Sequence, residues 1–310
     1  MEEKDGSHVL RDLEIRLDGV APHVFRISVD TIGHYELVAE RKVLWSGKLQ
    51  FDGVCPRMNG SLPVDKQVIL QSVIDRLHHW SSTVHWLTAV RATVPRKRAI
   101  PHQASPKNSD GAWVQEHLGR EELEGRRSLT GLVSSEIEEL FGCSLRIDID
   151  EREALFRATP VGTAWRLPLA DLGEGVTQVL PVLTLCLMAE RGDLGDRPIL
   201  CIEQPEMHLH ADAERRLATF LARVSNAPCN PILLVETHSE ILLSTLLLQV
   251  AQGFPPENLA VHWVSRESAA TESLVRQVKI DKKGNPADWP VGAFGQRSEL
   301  SRALFLARRG

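Results

Sequence analysis

The sequence predicts an α/β protein in which a mostly parallel sheet is combined with an antiparallel β-lobe. Three features of its 310 residues indicate this class. Strand-like segments with alternating apolar residues fill residues 13–51, a pattern typical of antiparallel sheets. From about residue 169, apolar strands alternate with helical patterns, which favours right-handed βαβ crossovers and a parallel sheet. Polar residues follow directly after two of these strands, at the edge where α/β sheets bind ligands.

The amino-terminal part of the chain is predicted to contain antiparallel strands, a helix and a loop. The strands are the segments LEIRLDGV, HVFRISVD, HYELVAE and KVLWSGKLQF. Apolar residues at helical spacing predict a helix over residues 64–86. Residues 95–112 are rich in Pro, Ser, Asn and Lys, so we expect an exposed, mobile loop. A charged helical stretch up to residue 140 and the strand SLRIDID follow.

The carboxyl-terminal half alternates strands with helices. Residues 176–190 form an apolar helix candidate, and residues 211–224 carry the apolar stripe of an amphipathic helix. PILCI and PILLVE are predicted buried strands, SEILLSTLLLQVAQ is another helix, and LAVHWVS is a third strand. The resulting division has four parts: a β-lobe and helix (1–90), a basic loop with a helical and strand insertion (91–168), the core with the polar strand ends (169–270), and a small terminal domain (271–310).

Composition and charge point to a cytoplasmic protein without a membrane partner. Hydrophobic residues make up 43% and charged residues 25%, which is ordinary for a globular protein, and the net charge of -5 argues against a general nucleic-acid coat. No apolar run is long enough to span a bilayer, and the first residues lack the pattern of a secretory signal. Five scattered cysteines without a CxxC spacing predict reduced thiols and no disulfide framework.

Side chains able to bind a metal ion or a phosphate follow two of the predicted strands. In ILCIEQPEMHLH, Glu203 follows four apolar residues and is therefore held on a rigid support, while Gln204 and Glu206 come next. In LLVETHSE, His238 follows the neighbouring strand. Magnesium on a phosphate prefers oxygen ligands and retains several waters, so one acid at a strand end suffices to position it. Glu203 is the predicted magnesium ligand, Gln204 or Glu206 would orient water, and His238 would contact a terminal phosphate.

A glycine pair precedes the apolar helix in the segment DLGEGVTQVLPVL. Gly173 and Gly175 would let backbone N–H groups approach an anion, and the positive end of the helix dipole would add to the attraction. Such a GxG is by itself more typical of a turn. The GxG comes before EQPE and ETHS in the sequence, and this order favours the anion-binding interpretation over a simple turn.

The same residues allow two other interpretations. His208, His210 and Asp212 match most of an H-x-H-x-D-H zinc run, and a zinc-dependent hydrolase would use them, although Ala213 stands where the last histidine is needed. Taken singly, a histidine or acid after a strand is more often a satisfied polar group or a helix cap.

The order GEGVTQVLPVL, ILCIEQPEMHLH, LLVETHSE resembles the carboxyl-terminal half of ABC/SMC-type AAA ATPases, and it is most similar to their OLD-like group. The resemblance implies a P-loop NTPase-like fold that uses ATP and Mg²⁺. It implies a signature motif at residues 172–176, with Gly173, Gly175 and Gln178 as nucleotide-contacting residues across a dimer. It also implies that Glu203 is the Walker B ligand, that Gln204 occupies the catalytic-glutamate position, and that His238 is the switch histidine.

The sequence departs from that family in its phosphate loop. No GxxxxGK[ST] occurs anywhere, and MNGS at residues 58–61 matches only a fragment of one. Without that loop and its lysine, the β- and γ-phosphates lose their main ligands, so we expect poor ATP binding by this chain alone. Three explanations remain open: a phosphate loop on a partner, donation of only the signature face to a partner's nucleotide, or a degenerate product.

We therefore expect an ATPase subunit or fragment that acts in a homo- or hetero-oligomer with a Walker A-bearing partner or a nuclease effector, in bacterial defence or DNA repair. The alternative from another class is an inactive ATPase-fold interaction module. A DNA contact could involve the cluster Arg91, Arg96, Lys97 and Arg98, although so short a basic run is more typical of a solvated loop.

Overall fold

The computed structural model describes residues 82–266, 273–287 and 289. Among the other residues it describes eight short strands before residue 58, helical positions at 67, 71, 74, 75, 77 and 78, and residues 306 and 307. The chain divides into two compact units, residues 1–83 and 84–310. The fragment MNGS and most of the proposed terminal domain (271–310) lie outside the described residues.

The described part of the first unit is antiparallel sheet. Its strands are β1 (Glu2–Lys4), β2 (Ser7–Val9), β3 (Asp12–Arg16), β4 (Val24–Val29), β5 (Tyr35–Ala39), β6 (Lys42–Gly47), β7 (Gln50–Asp52) and β8 (Cys55–Arg57). Strands β3 to β6 form a four-stranded meander in chain order, whereas β1 pairs with β2 and β7 pairs with β8. The predicted antiparallel β-lobe is confirmed.

The second unit contains the helices and the parallel sheet. Its strands are β9 (Val84–Leu87), β10 (Arg98–Ala99), β11 (Cys143–Asp150), β12 (Glu153–Pro160), β13 (Leu167–Pro168), β14 (Ile199–Glu203), β15 (Ile232–Glu236), β16 (Val261–Ser265) and β17 (Leu274–Val278). Its α-helices are α1 (Trp113–Leu123), α2 (Ser128–Phe141), α3 (Glu174–Glu190), α4 (Ala211–Ser225) and α5 (Glu240–Ala251), and single 3₁₀ turns span Leu169–Asp171 and Pro256–Asn258. The helices predicted in the carboxyl-terminal half are confirmed within two residues at each end.

The parallel sheet has the order β15-β14-β9, and this order corrects two predictions. Residues 84–86 were predicted to end a helix, yet they belong to β9 because the backbone of Val84–Leu87 pairs with β14. The segment LAVHWVS does contain strand β16, but β16 pairs antiparallel with β17 rather than extending the parallel sheet. The remaining antiparallel sheet has the order β10-β12-β11, with β13 on β12.

One hydrophobic core holds the second unit together. It runs from Leu87 and Ile100 through α1 and α2 to α3, α4 and Leu242, so residues from the segments 91–168 and 169–242 share one core. Helix α3 is buried on nearly every side, as expected of a helix that is apolar all round. The loop at 95–112 is mostly exposed, as predicted, although Ile100 is anchored in the core. Among the described helices, none is both long enough and apolar enough to cross a membrane.

Candidate nucleotide site at the carboxyl ends of the parallel strands

Glu203 ends strand β14 and has Glu236, the last residue of β15, as its register partner. The Glu203 carboxylate is held by two donors from the β9 side. Trp86 Nε1 donates to Glu203 Oε1 at 3.0 Å, and the backbone N–H of Ala89 donates to Glu203 Oε2 at 3.0 Å. These bonds fix the direction of the carboxylate while leaving lone pairs on both oxygens. The strand ends meet at one edge of the sheet, as the sequence indicated.

Arg91 lies beneath this edge and was not recognised as part of the site. It is 3% exposed, and its guanidinium donates a hydrogen bond to the Glu203 carbonyl oxygen. Burial lowers the pKa of Arg91 to about 10, while Glu206 and Glu203 oppose that shift, so the side chain remains a cation at neutral pH. The interpretation of Arg91 as a surface DNA contact is therefore wrong, because the side chain is buried and hydrogen-bonded within the fold.

Gln178 connects Arg91 to helix α3. The Arg91 N–H donates to Gln178 Oε1 at 3.1 Å, and Gln178 Nε2 donates back to the Arg91 carbonyl at 3.1 Å. The Gln178 side chain is buried, and both of its polar atoms are used in this exchange. Gln178 was predicted to contact nucleotide, and its observed bonds tie the start of α3 to the loop that follows β9.

Glu206 is bonded to the loop that leaves β15. Its Oε1 accepts hydrogen bonds from Thr237 Oγ1 at 2.7 Å and from the His238 N–H at 3.0 Å. Its Oε2 is buried and has no hydrogen-bond partner in the described part of the chain. Glu206 thus sets the position of His238. Thr237, which no sequence pattern singles out, completes the link.

His238 is open to solvent at this edge. Its side chain is 78% exposed, and its Nε2 lies 3.5 Å from Glu236 Oε1. The next residue, Ser239, caps helix α5 by accepting from the Leu242 N–H at 3.0 Å, and its hydroxyl donates to Glu214. His238 therefore projects from a backbone that is anchored on both sides, which suits contact with an incoming ligand.

The loop between β14 and α4 has an unusual backbone. Gln204 and His208 adopt positive φ angles of 40° and 66°, a region that residues other than glycine visit infrequently. The Gln204 N–H donates to the Glu236 carbonyl at 2.8 Å, which continues the β14–β15 ladder by one residue. Gln204 consequently begins the loop directly beside the two strand-end acids.

The glycine pair lies where helix α3 begins. Gly173 is the N-cap residue, and among the described residues other than its chain neighbours no atom lies within 4 Å of where its Cβ would stand. Gly175 is packed instead, since a Cβ there would lie 2.6 Å from the His208 carbonyl oxygen. His208 Nε2 also lies 3.2 Å from Glu174 Oε2. Gly173 leaves the helix start accessible, whereas Gly175 allows the close approach of α3 to the loop after β14.

The three residues of the zinc interpretation have other partners. His210 Nδ1 accepts from the Ala213 N–H at 3.2 Å and caps α4, and Asp212 pairs with Arg215 and Arg216, each at 2.9 Å. These bonds are those of a helix start, which was the simpler interpretation. Across the described residues, His, Cys, Asp and Glu side chains form no group of three or more suited to a metal ion.

The remaining basic residues of the predicted DNA cluster are also paired. Arg96 contacts Asp171 at 2.8 Å, Arg98 contacts Glu116 at 2.5 Å, and Lys97 contacts two acids. The partners of Lys97 are Asp150 at 3.2 Å and Glu153 at 2.9 Å, and they raise its pKa. Each of these cations has an acidic partner, so the segment does not present a bare positive patch.

The chemistry of the strand ends fits a magnesium ion shared with phosphate. Glu203 and Glu236 offer hard carboxylate oxygens on adjacent strands, and His238 lies beside them. Magnesium bound with a nucleotide needs only one or two carboxylates, because phosphate oxygens and water complete its octahedron. The strand ends therefore fit a magnesium ion that is bound together with a phosphate. The protein groups that bind the phosphate itself would have to come from outside these strand ends.

Comparison with known proteins finds a family that is similar to part of this chain. Residues 100–244 match the family described as "AAA domain, putative AbiEii toxin, Type IV TA system". The matched segment includes both polar strand ends and the glycine pair. The match covers just under half of the chain, and the architecture that the structure shows is α/β, with a parallel sheet and antiparallel strands.

Several solved structures are similar to the chain at low sequence identity. A crystal structure of an SmcHead bound to the C-winged helix domain of ScpA is 11% identical, with a TM-score of 0.47, covering 86% of this chain and 73% of that one. The SMC head domain from Thermotoga maritima is 11% identical, with a TM-score of 0.42, covering 87% of this chain and 73% of that one. The sequence has no match among curated proteins.

Proposed function

We propose that this chain is an ABC/SMC-like ATPase subunit or fragment whose nucleotide chemistry requires a partner supplying the Walker A loop. The observation that carries the proposal is the joint placement of Glu203, Glu236 and His238 at the carboxyl ends of two paired parallel strands. In α/β sheets this edge is where ligands bind. The family match over residues 100–244 supports the same assignment.

The proposed roles follow from the contacts of each side chain. Glu203, oriented by Trp86 and Ala89, would hold magnesium, which would neutralise phosphate charge when bound. His238 would donate to the terminal phosphate. Gln204 would align the attacking water, because its amide can orient water although it cannot accept a proton.

Two further roles differ from those the sequence suggested. Glu206 would act as the positioning residue of His238, since its Oε1 already accepts from the Thr237 hydroxyl and the His238 backbone N–H. Gly173 would present the open start of α3 to a nucleotide held by a second subunit, and Gly175 would support it by permitting the contact with the loop at His208.

The 310 residues contain no GxxxxGK[ST], so the proposed chemistry needs a phosphate loop from outside these residues. A phosphate loop supplies most of the β- and γ-phosphate ligands, so strand-end acids alone bind nucleotide weakly. In the assembled particle, the ATP state would be coupled to a nuclease or another effector acting in bacterial defence or DNA repair.

The test is reconstitution with a Walker A-bearing partner. The purified chain alone should show no ATPase activity, and the complex should hydrolyse ATP. In that complex Glu203→Gln and His238→Ala should each lower the rate about 100-fold, the scale of losing one preorganised stabilising group. Glu257→Gln, a charge-matched change at an exposed position of the Pro256–Asn258 turn, should leave the rate unchanged. Unaltered hydrolysis after both site changes would contradict the assignment.

A second candidate function is a non-hydrolysing interaction module built on the same fold. It is favoured by Gln204, which offers no base, and by Glu206, whose carboxylate is used internally. Absence of nucleotide binding by the chain together with its partner, measured by calorimetry with Mg-ATP, would support this function over hydrolysis.

A further inference from the structure

Two buried polar atoms beneath the strand ends have no hydrogen-bond partner among the described residues. One is Nε of Arg91, a donor on a side chain that is 3% exposed. The other is Oε2 of Glu206, an acceptor. A buried donor or acceptor without a partner destabilises the fold, and the penalty is larger for charged groups. Each atom therefore needs a partner that the described part of the chain does not supply.

The two side chains are brought together at the end of strand β14. The Arg91 guanidinium donates to the Glu203 carbonyl, and Glu206 follows in a turn closed by the Met207 N–H to Gln204 carbonyl bond at 3.1 Å. Burial lowers the pKa of Arg91, and Glu206 opposes that shift more strongly than Glu203 does. Because Arg91 already contacts the Glu203 backbone, the stronger effect of Glu206 indicates that its carboxylate lies near the guanidinium.

The other oxygen of the Glu206 carboxylate is fully used. The Thr237 hydroxyl accepts from the Ser239 N–H at 3.0 Å, which leaves its hydrogen to be donated to Glu206 Oε1 at 2.7 Å. The His238 N–H donates to the same oxygen at 3.0 Å. Two donors occupy both lone pairs of Oε1, so the remaining acceptor capacity of the carboxylate is on Oε2.

The two unpartnered atoms do not bond to each other, because neither has any hydrogen-bond partner in the described structure. The guanidinium is also held in its present place. Its Nη2 donates to the Glu203 carbonyl and its Nη1 to the Gln178 carbonyl at 3.5 Å, so a shift onto Glu206 would break these bonds. A third group is needed that satisfies both atoms where they are.

The chemistry of the two atoms selects that group. It must accept a hydrogen bond from the Arg91 Nε–H and donate one to the Glu206 carboxylate. A chloride ion could accept from Arg91 but would be repelled by Glu206, and a metal cation would be attracted by Glu206 but repelled by Arg91. Water both accepts and donates, and water molecules commonly fill this role between buried polar groups.

We propose that one buried water molecule bridges Arg91 Nε and Glu206 Oε2. These two bonds fall within the roughly two to four that a buried water makes. The water connects the loop after β9 to the loop after β15, because the carboxylate that it contacts also holds Thr237 and the His238 N–H. The bridge belongs to the folded chain itself and requires neither nucleotide nor a partner.

A crystal structure of the full chain, at a resolution that shows ordered waters, tests the bridge directly. The expected result is a water within about 3.2 Å of both Arg91 Nε and Glu206 Oε2. A direct hydrogen bond between the two side chains would overturn the proposal. A protein group bonded to either atom, or the absence of ordered density between them, would overturn it too.

Nuclear magnetic resonance tests the same water in solution. The Arg91 Nε–H signal is assigned by its loss in Arg91→Lys. A long-lived water beside this proton gives cross peaks of opposite sign in NOESY and ROESY spectra, whereas chemical exchange with solvent gives equal signs. We expect opposite signs in the natural chain. Equal signs, or no water cross peak, would contradict the bridge, and this measurement does not depend on the stability of any variant at Glu206.

Two substitutions around the carboxylate sharpen the result. Glu206→Met removes the acceptor of the water and should weaken the water cross peak of Arg91 at least about fivefold. Thr237→Val removes a hydrogen bond from the other oxygen of the same carboxylate and should leave the cross peak in place. An unchanged cross peak in Glu206→Met would show that the water does not contact this side chain.

The water bridge and the proposed function fail separately. A bridging water in a chain whose reconstituted complex does not hydrolyse ATP would retain the bridge and reject the ATPase function. Hydrolysis that depends on Glu203, in a chain where Arg91 and Glu206 bond directly, would retain the function and reject the bridge.

Discussion

At the scale of single residues, Arg91 joins three parts of the site. It binds the Glu203 carbonyl, exchanges hydrogen bonds with Gln178, and places a buried positive charge near Glu206. Three basic residues, Arg96, Lys97 and Arg98, follow it within seven positions, so the sequence alone places it in a surface cluster. Only the fold shows that a residue 112 positions before Glu203 lies beneath it.

Replacing Arg91 with alanine should strongly destabilise the protein. The substitution leaves the Glu203 carbonyl without its donor and the Glu206 charge uncompensated, so we expect a loss of about 3 kcal/mol in the free energy of unfolding. Urea denaturation followed by circular dichroism measures the loss. Arg166→Ala, at an exposed position, should change stability by less than about 0.5 kcal/mol. Equal effects of the two substitutions would contradict the bridging role of Arg91.

His85 should make the stability of the protein depend on pH. Its Nε2 is buried without a hydrogen-bond partner among the described residues, and burial together with Lys107 lowers its pKa to about 4. The unfolded histidine has a pKa of about 6.5, so between these values the unfolded chain binds a proton that the folded chain excludes. The stability that comes from neutral His85 is complete above about pH 6.5 and decreases as the pH falls toward 4.

The measurement compares urea midpoints at pH 7.5 and pH 5 for the natural chain and for His85→Gln. Glutamine cannot take up the proton, so the variant should lose less stability on acidification. The same substitution at exposed His102 provides the control and should leave the loss at pH 5 as it is in the natural chain. An identical pH response in His85→Gln would show that other groups cause the acid sensitivity.

At the scale of elements, the start of α3 and the loop after β14 are in close contact. Gly175 allows this contact because its missing Cβ leaves room for the His208 carbonyl, at 2.6 Å from the ideal Cβ position. Gly131 in helix α2 provides the matched comparison, since no atom of the described residues outside its own helix turn lies within 4 Å of its Cβ position. Both glycines are in helices, where alanine is intrinsically preferred.

Alanine substitutions at these two glycines should have opposite effects. Gly131→Ala should stabilise the protein by about 0.5–1 kcal/mol, because it reduces the entropy of the unfolded chain and fills open space. Gly175→Ala should destabilise it, since the added methyl group displaces the His208 backbone, at a cost of about 1–3 kcal/mol. Thermal melts of both variants test the pair. Stabilisation by Gly175→Ala would show that α3 and the loop are not tightly packed.

The elements also show what sequence patterns can predict. The strand-end acids were placed correctly because an apolar run followed by a charge marks a buried strand and its exit. Strand β9 was missed because Val84 to Leu87 continues an apolar spacing that looks helical, and its pairing with β14 depends on residues more than 100 positions away. Sequence patterns likewise could not predict the contact of Gln178, because its partner Arg91 is 87 positions away in the chain.

At the scale of the whole molecule, the pairing of basic with acidic side chains limits the attraction of the surface for DNA. The net charge is -5, and Arg96, Lys97 and Arg98 each contact an acid. Nonspecific DNA binding depends on cations that release counterions from phosphates. The chain alone should therefore bind duplex DNA more weakly than the roughly 10⁻⁴–10⁻⁶ M dissociation constants typical of nonspecific binding.

Fluorescence anisotropy with a labelled duplex at physiological salt measures this affinity. A variant combining Asp150→Asn, Glu153→Gln and Asp171→Asn removes the acidic partners of Arg96 and Lys97, so it should bind more tightly and with a steeper salt dependence. Tight binding by the unaltered chain would show that a basic surface other than this segment contacts DNA.

The left-handed backbone at Gln204 and His208 has a consequence for how the molecule could be improved. Glycine would adopt these angles without steric cost, whereas the present side chains hold the loop in a conformation that costs on the order of 1 kcal/mol at each position. A sequence optimised only for thermal resistance would place glycine at both. The loop is therefore less stable than a glycine-containing loop would be, and in return it keeps the Gln204 amide and the His208 imidazole in place. Selection for thermostable variants should enrich glycine at these two positions, and the function of the two side chains should be lost with them.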